Sequence, residues 1–400
     1  MEAYIIDGIR TAIGSFGGSL SAVRTDDLAA GVIRELVMRN PLIPAEAYSD
    51  VLMGCANQAG EDNRNVARMA LLLARLPVTV PGETINRLCA SGMSAIIHAN
   101  RAIKAGDGDI FIAGGVENMT RGPWVISKTS KAFGNDAKME DSSFGWRFIN
   151  PAMEALYGTE SMGQTAENLA ELYKISRADQ DEFASWSQQK ASAAQTNGRF
   201  SKEIMGVNIP QKKKDSFLFA ADEFIKPATT TTILASLKPA FRKEGTVTAG
   251  NASGLNDGAA SVLVASGSAV KNYNLKPLAR IVSSAVVGVE PRIMGIGPVR
   301  ATEKALAKAG LALSDISLIE INEAFSAQVL ACTRNLGLED KDPRINPNGG
   351  AIALGHPLGM TGARITYSLA LELSLQKKRY GLATMCIGVG QGYAVVLESV

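Results

Sequence analysis

Histidine is nearly absent from this sequence: its 400 residues contain two, His98 and His356. Cysteine is scarce as well, and Cys55, Cys89, Cys332 and Cys386 stand far apart with no C-x-x-C pair. That spacing argues against a disulfide framework or a zinc site and favours a reducing compartment. No charge of one sign dominates, since 41 Lys and Arg balance 39 Asp and Glu to a formal net charge of +2. Such a balance gives no reason to expect nucleic acid or a membrane surface as partner. Long apolar runs are missing too; none approaches the roughly eighteen residues of a spanning helix. The opening Met1-Glu2-Ala3-Tyr4-Ile5-Ile6-Asp7 has neither a basic segment nor a long apolar one, so no secretory leader is expected. Together these absences predict a soluble, cytoplasmic protein.

What is present is ample core-forming material, 46% hydrophobic residues, and 39 glycines, which suit an α/β protein with many tight turns. The length exceeds one ordinary domain and suggests two or three. Residues 3–7 read as a buried strand. Thr25-Asp26-Asp27 reads as an N-cap with first-turn acids ahead of Leu28, Val32 and Leu36 at helical spacing. Residues 51–53 predict a strand, and Val66, Met69 and Leu73 mark a helix. Residues 109–113 predict another strand before Gly114-Gly115. This alternation predicts a mostly parallel sheet covered by helices. The rhythm breaks over residues 119–248, which hold Trp124, Trp146 and Trp186, the basic Lys212-Lys213-Lys214 and a helix capped by Ser176. A stretch so long, with its own helix, reads as an inserted subdomain. The basic cluster is either a solvated face or a grip on an anion. Alternation resumes at residues 259–264 and runs to the end, so the two ends look like similar units.

One stretch organises the rest: Thr84-Ile85-Asn86-Arg87-Leu88-Cys89-Ala90-Ser91-Gly92-Met93, a strand-like run ending at a thiol where a helix begins. Free N–H groups and the helix dipole at such a junction favour an anion, so a depressed thiol pKa and a reactive thiolate are expected at Cys89. His356 lies in the Gly-rich Asn346–Pro357 region just ahead of a helix, where an imidazole exposed to a cleft suits general-base work. His98, inside the helix after Cys89, reads as a packed or surface residue. Cys386-Ile387-Gly388-Val389-Gly390-Gln391-Gly392 follows a buried strand, and its alternate glycines let N–H groups converge as an oxyanion hole requires. It opens no helix, which counts against a dinucleotide-binding loop. Asn322-Glu323 follows a strand at residues 318–321, at the sheet edge where α/β ligands bind.

The set Asn86–Gly92, Gly250-Asn251-Ala252-Ser253-Gly254, Asn322-Glu323-Ala324-Phe325, Gly355-His356-Pro357 and Cys386-Ile387-Gly388 resembles the thiolase family, in collinear order from the N-terminus to the last strand. The resemblance implies an α/β thiolase fold of two similar half-domains in a five-layer α-β-α-β-α core. Residues 1–118 with 249–270 would form the N-terminal half, 119–248 a loop domain for CoA binding and oligomer contacts, and 271–400 the C-terminal half. It implies an acyltransferase in which Cys89 is the nucleophile, His356 activates it, Asn322 holds a water, Cys386 serves as acid and base, and Gly388 shares the oxyanion hole with Cys89. Ser253, Met162, Phe241, Ala324 and Phe325 would contact pantetheine, and Lys226 the CoA phosphates. Three further stretches, residues 54–69, 145–148 and 385–392, are similar to the branch acting on 3-oxoadipyl-CoA. The implied reaction is thiolysis to succinyl-CoA and acetyl-CoA through an acetyl-cysteine, in aromatic-compound catabolism. A cation should meet the distal carboxylate; Arg147, in the stretch 145–148, is either that cation or an ordinary surface or interface arginine. The alternative is a broad 3-ketoacyl-CoA or acetoacetyl-CoA thiolase. Coenzyme A would be a cosubstrate, no metal or permanent cofactor is implied, and the expected assembly is a homotetramer of tight dimers. The chain departs from common family patterns at Ala90, Ser161, Lys226 and Val389. A decarboxylating ketosynthase shares the Cys nucleophile but pairs it with two histidines or His and Asn; Cys386 argues against that rival. An inactive acyl-CoA-binding relative would be expected to lack Cys89, His356 or Cys386.

Overall fold

Residues Ile110–Asn118 and Asn256–Ser266 are buried at every position, as strands must be when helices cover both faces of their sheet. In the computed structural model, which describes residues 1–211 and 214–400, they lie at the heart of the main sheet. The Lys212-Lys213-Lys214 cluster lies outside the described residues, apart from the backbone of Lys214. The sheet contains β1 (Ala3–Thr11), β2 (Asp50–Gly54), β3 (Gly82–Ile85), β4 (Ile110–Asn118), β5 (Asn256–Ser266), β6 (Ala279–Gly288), β7 (Leu318–Ile321), β8 (Tyr380–Ile387) and β9 (Gln391–Ser399). Their order across it is β7-β8-β9-β6-β1-β5-β4-β2-β3.

The expected mostly parallel sheet is overturned. Among these strands, β2 pairs parallel with β3 and β4, and β7 with β8, whereas β1–β5, β4–β5, β1–β6, β6–β9 and β8–β9 are antiparallel. The reason lies in the connections. Residues 388–390 turn β8 straight back into β9, and a hairpin can only return antiparallel. β5 follows β4 after the long insertion rather than a single crossover helix.

The two ends repeat one another in register. Ala3 faces Ser266 in the β1–β5 pair and Ala279 faces Ser399 in the β6–β9 pair. Each pair slips at the same point, between Ile5 and Asp7 and between Ile281 and Ser283. The halves join edge to edge where Tyr4 faces Arg280 and Ile5 faces Ala279.

Helices complete the layers. α1 (Thr25–Arg39) and α2 (Val66–Leu73) cover one outer face. α3 (Ser91–Ala105) packs on the inner face of that half. Within the insertion lie α4 (Met162–Leu172) and α5 (Arg177–Thr196). α6 (Gly297–Ala309) and α7 (Ser326–Asn335) belong to the far side of the second half, whose inner face carries α8 (Leu358–Gln376). α3 and α8 pack on each other between the two halves of the sheet, with Met93, Ile96, Ile97 and Ile103 of α3 and Ile365, Leu369 and Leu373 of α8 all fully buried. The layers are therefore α-β-α-β-α.

Two local expectations part ways here. Ser176 caps α5 in a reciprocal capping box with Asp179. Thr25 caps nothing; it is already the first helical residue, and Asp26 is bound by Arg24 instead. The insertion is tied to the core by buried charges: Arg10 holds Asp222 at 2.8 and 2.9 Å and Glu203 at 2.7 Å. Removing one partner would strand a buried charge, so such a network resists loosening. Among the described residues, no helix is long and apolar enough to cross a membrane.

Candidate active site

Cys89 is delivered by a strained turn between β3 and α3. Leu88, just before it, has φ +47°, a left-handed conformation that costs a branched side chain energy unless its surroundings enforce it. They do: the Leu88 N–H donates to Asn86 Oδ1 at 2.9 Å, and the Ser91 hydroxyl donates to the Leu88 carbonyl at 2.6 Å. Of the four cysteines, Cys89 alone keeps partial exposure; Cys55, Cys332 and Cys386 are buried. It borders a cavity of about 200 Å³ whose walls include Leu88, Trp146, Met162, Leu358, Gly388 and Val389.

Cys386 sits near the end of β8 and packs with Ala252, Ala324, Phe325 and Met162. Burial pushes its thiol well above the ordinary range, and the nearby Cys89 charge adds to the rise. The turn that follows is strained, with Val389 at φ +61° on the cavity wall, where a β-branched residue is a genuine outlier.

His356 stands immediately before α8. Gly355 turns the chain there at φ +105°, and a Cβ on it would lie 2.6 Å from Asn256 Oδ1, the atom that accepts the His356 N–H at 3.0 Å. Asn322 Nδ2 lies 3.4 Å from His356 Nε2, and Thr361 Oγ1 lies 2.7 Å from His356 Nδ1. Asn322 is itself fixed by its N–H bond to the Thr384 carbonyl, two residues before Cys386, and its Oδ1 is buried without a protein partner. Cys89 is thus linked to Gly388 and Cys386, and Asn322 joins His356 to the strand that carries Cys386.

Two electrostatic expectations are corrected. Burial pushes the Cys89 thiol up to about 11, despite N–H bonds from Gly388 and from Cys89 itself. Enclosure outweighs the helix terminus, so the resting group is a thiol rather than a thiolate. His356 is not exposed to a cleft but buried, which lowers it to about 3, with Arg364 adding to the shift. Burial disfavours the imidazolium, so the ring remains a neutral base far into acid. In consequence the acid limb of the free-enzyme kcat/KM profile is expected well below pH 6.5. A half-maximal point at pH 6.5 would contradict this electrostatic picture.

The remaining candidates divide. Ser253 donates its backbone N–H to the Ala324 carbonyl at 2.9 Å, Phe241 stacks edge-on against Phe325 at 6.1 Å, and Met162 lies against the same cluster. Together they form one wall beside Cys386. Lys226 is exposed, with its ammonium 5.2 Å from the Phe224 ring, which occupies the space over Gly254 beside Ser253. Arg147 is not brought to the cavity. Its guanidinium reaches Asn57 and the Ser142 carbonyl at 3.2–3.4 Å, while its neighbours Gly145 and Trp146 form the wall. Sequence reasoning missed Asn256, Thr361 and Glu117. The first two touch His356 directly, and only their proximity in space marks them. Buried Glu117 accepts N–H bonds from Ala56, Asn57 and Gly359. Cys55, Asp62 and Glu117 gather closely enough to suggest a metal. Their carboxylates are already engaged by these amides and by those of Gln58 and Gly60, so the group reads as a hydrogen-bonded nest.

Family models for the N-terminal domain of thiolase match residues 3–268, and those for the C-terminal domain match residues 275–399. The chain belongs to the thiolase family. This thiolase is 57% identical to the 3-oxoadipyl-CoA/3-oxo-5,6-dehydrosuberyl-CoA thiolase of Escherichia coli K12, over the whole of both chains. It is 56% identical, again over both full lengths, to a beta-ketoadipyl-CoA thiolase of Acinetobacter baylyi. Among solved structures it resembles the acetyl-CoA acetyltransferase of Bacillus anthracis, with a TM-score of 0.92 and 41% identity, covering 100% of this chain and 99% of that one.

Proposed function

We propose that this thiolase cleaves 3-oxoadipyl-CoA with free CoA to give succinyl-CoA and acetyl-CoA, as part of aromatic-compound catabolism. The observation that supports the chemistry is a pair of neighbouring, unlike thiols, one bordering a cavity and one buried, together with a buried, neutral imidazole held beside Asn322. Two thiols at one site make sense when one is the nucleophile and the other the acid and base. The substrate follows the names of relatives matched over their full lengths.

Cys89 Sγ adds to the 3-oxo carbon while His356 takes the thiol proton. The N–H groups of Cys89 and Gly388 face the oxyanion. The adjacent carbon–carbon bond breaks, its electron pair passes to the acetyl-CoA thioester as an enolate, and Cys386 protonates it. The protonated imidazole and a water held by the unpartnered Asn322 Oδ1 stabilise that enolate, the kind of fixed donor set that supplies several kcal/mol. The sequence-based expectation of an acetyl-cysteine is corrected here by counting carbons: cleavage leaves the succinyl fragment on Cys89, and an acetyl-cysteine belongs to acetoacetyl-CoA. Free CoA then attacks the acyl group, giving its proton to the Cys386 thiolate, and His356 returns its proton to Cys89. Coenzyme A enters as cosubstrate along the wall of Ser253, Met162, Phe241, Ala324 and Phe325, with Lys226 near its phosphates. The loop domain of residues 119–248, a tetramer of tight dimers and a cytoplasmic setting belong to the same reading, and the bacterial origin of relatives supports the last of these.

One observation favours a second reading, a broad 3-ketoacyl-CoA or acetoacetyl-CoA thiolase: the cavity beside Cys89 is largely apolar, and no cation is among its lining residues. Comparing kcat/KM for 3-oxoadipyl-CoA and acetoacetyl-CoA separates the two. A preference for the dicarboxylic substrate supports the first, and a preference for acetoacetyl-CoA the second. The first reading gives the substrate acid to Arg147, which lies outside the cavity beside its wall residues Gly145 and Trp146 and has no carboxylate within ion-pair distance among the described residues. Arg147→Ala is expected to raise KM for 3-oxoadipyl-CoA about tenfold while sparing acetoacetyl-CoA. Equal effects on both substrates would remove Arg147 from that role.

A further inference from the structure

We infer that Thr361 is a positioning residue that fixes His356 as its Nδ1–H tautomer and so keeps Nε2 free to accept a proton; this deepens the proposed thiolase reaction and rests on it. The balance of donors and acceptors around the ring decides the tautomer. Thr361 Oγ1 lies 2.7 Å from His356 Nδ1 and 2.8 Å from the Pro357 carbonyl oxygen. A hydroxyl has one proton to give and lone pairs to receive. The carbonyl can only accept, so the hydroxyl proton points at Pro357, and the contact with the ring is satisfied only if Nδ1 carries the hydrogen. In the opposite arrangement, with the hydroxyl donating to Nδ1, two oxygens would face each other at 2.8 Å with no proton between them.

The far side of the ring fits the same assignment. Asn322 Nδ2 lies 3.4 Å from Nε2, a contact that suits an unprotonated nitrogen and is long enough for an arriving thiol proton to displace it. That orientation leaves Asn322 Oδ1 as the unpartnered atom, able to receive a water hydrogen. Backbone geometry pins the ring as well. The His356 N–H is held by Asn256 Oδ1 at 3.0 Å, and Thr361 sits in the first turn of α8, five residues along. The ring is thus held at its backbone by β5 and at Nδ1 by its own helix, and Nε2 alone is left to exchange protons. The nitrogen that takes the thiol proton is then the one that can donate it to the enolate oxygen.

The sequence makes the test clean, because His98 is the only other histidine. In the full chain labelled with 15N-histidine, two imidazole spin systems are expected, and the His98→Gln variant removes one. At pH 7 the remaining ring should show a protonated Nδ1 and an unprotonated Nε2. A ring protonated at Nε2 would overturn the inference in the wild-type protein, with no dependence on how any variant folds. Thr361→Val should convert part of the population to the other tautomer. It should lower kcat about 100-fold with KM changed less than about threefold, a smaller loss than a wrong tautomer causes in a Ser-His-Asp triad. Thr361→Ser should restore both the ring state and kcat. A Thr361→Val protein with an unchanged ring and unchanged kcat would also overturn the assignment. Should the ring state be as expected while no 3-oxoacyl-CoA is cleaved, the tautomer assignment stands and the functional reading falls.

Discussion

Cys89→Ala is expected to retain less than about one ten-thousandth of the wild-type kcat/KM toward 3-oxoadipyl-CoA, the scale of loss seen when a covalent nucleophile is removed. Cys89→Ser should fare little better. A thiol already raised to about 11 is within reach of a neutral imidazole during attack, whereas a serine hydroxyl in the same enclosure is far less acidic. The intermediate supplies the second readout. Wild-type protein mixed with 3-oxoadipyl-CoA and no free CoA should carry one succinyl group on the peptide containing Cys89. Cys89→Ala should carry none, and Cys386→Ala should still be acylated by an acyl-CoA thioester. An adduct on Cys386 in the wild-type protein, or residual turnover above about one per cent in Cys89→Ala, would reverse the roles of the two sulfurs.

Gly115→Ala is expected to destabilise the protein by about 3 kcal/mol or more, at the upper end of overpacking effects. Its Cβ would lie 1.9 Å from the Gly359 carbonyl oxygen and 2.7 Å from the carbonyl carbon. Neither neighbour can rotate away, since both belong to the backbone of the first turn of α8. Gly359 is also held from the other side, because its N–H donates to Glu117 at 2.8 Å. Relief must therefore shift the helix that begins two residues after His356, and activity should fall with stability. Urea unfolding with a lower midpoint and an unchanged slope would register the first effect. Gly31→Ala is the control: its Cβ meets only Met205 Cε at 3.6 Å within a helix, so a change within about 1 kcal/mol is expected. Equal stabilities for the two variants would show that the close approach of β4 and α8 carries no strain.

Much of this was legible in the sequence because the chemistry sits at punctuation marks. Cys89, Asn322 and His356 each follow a strand or a glycine-rich turn, Cys386 sits near the end of a strand just before such a turn, and a linear pattern can mark these boundaries. Helix faces were legible too: Met93, Ile96, Ile97 and Ile103 repeat at helical spacing and all are buried. Strand direction was not, because it depends on how β4 is connected to β5 and β8 to β9 rather than on the strands' composition. Electrostatics was also hidden. Position at a helix start suggested an activated thiolate and an exposed imidazole, and burial from distant segments reversed both. Thr361 escaped notice for a related reason, since a hydroxyl that chooses between a ring nitrogen and a carbonyl is visible only once the helix brings both within reach.

The matching registers of β1–β5 and β6–β9 carry a last consequence for how labour is divided within the chain. On the proposed roles, the attacking sulfur stands at the start of the central helix of the first repeat, and the proton acceptor at the start of the corresponding helix of the second. A protein assembled from two identical copies would offer the same group twice and lack its complement. On those roles, the unlike residues at the two helix starts make the pair reactive, and each repeat holds only a fragment of an activity that exists at their seam.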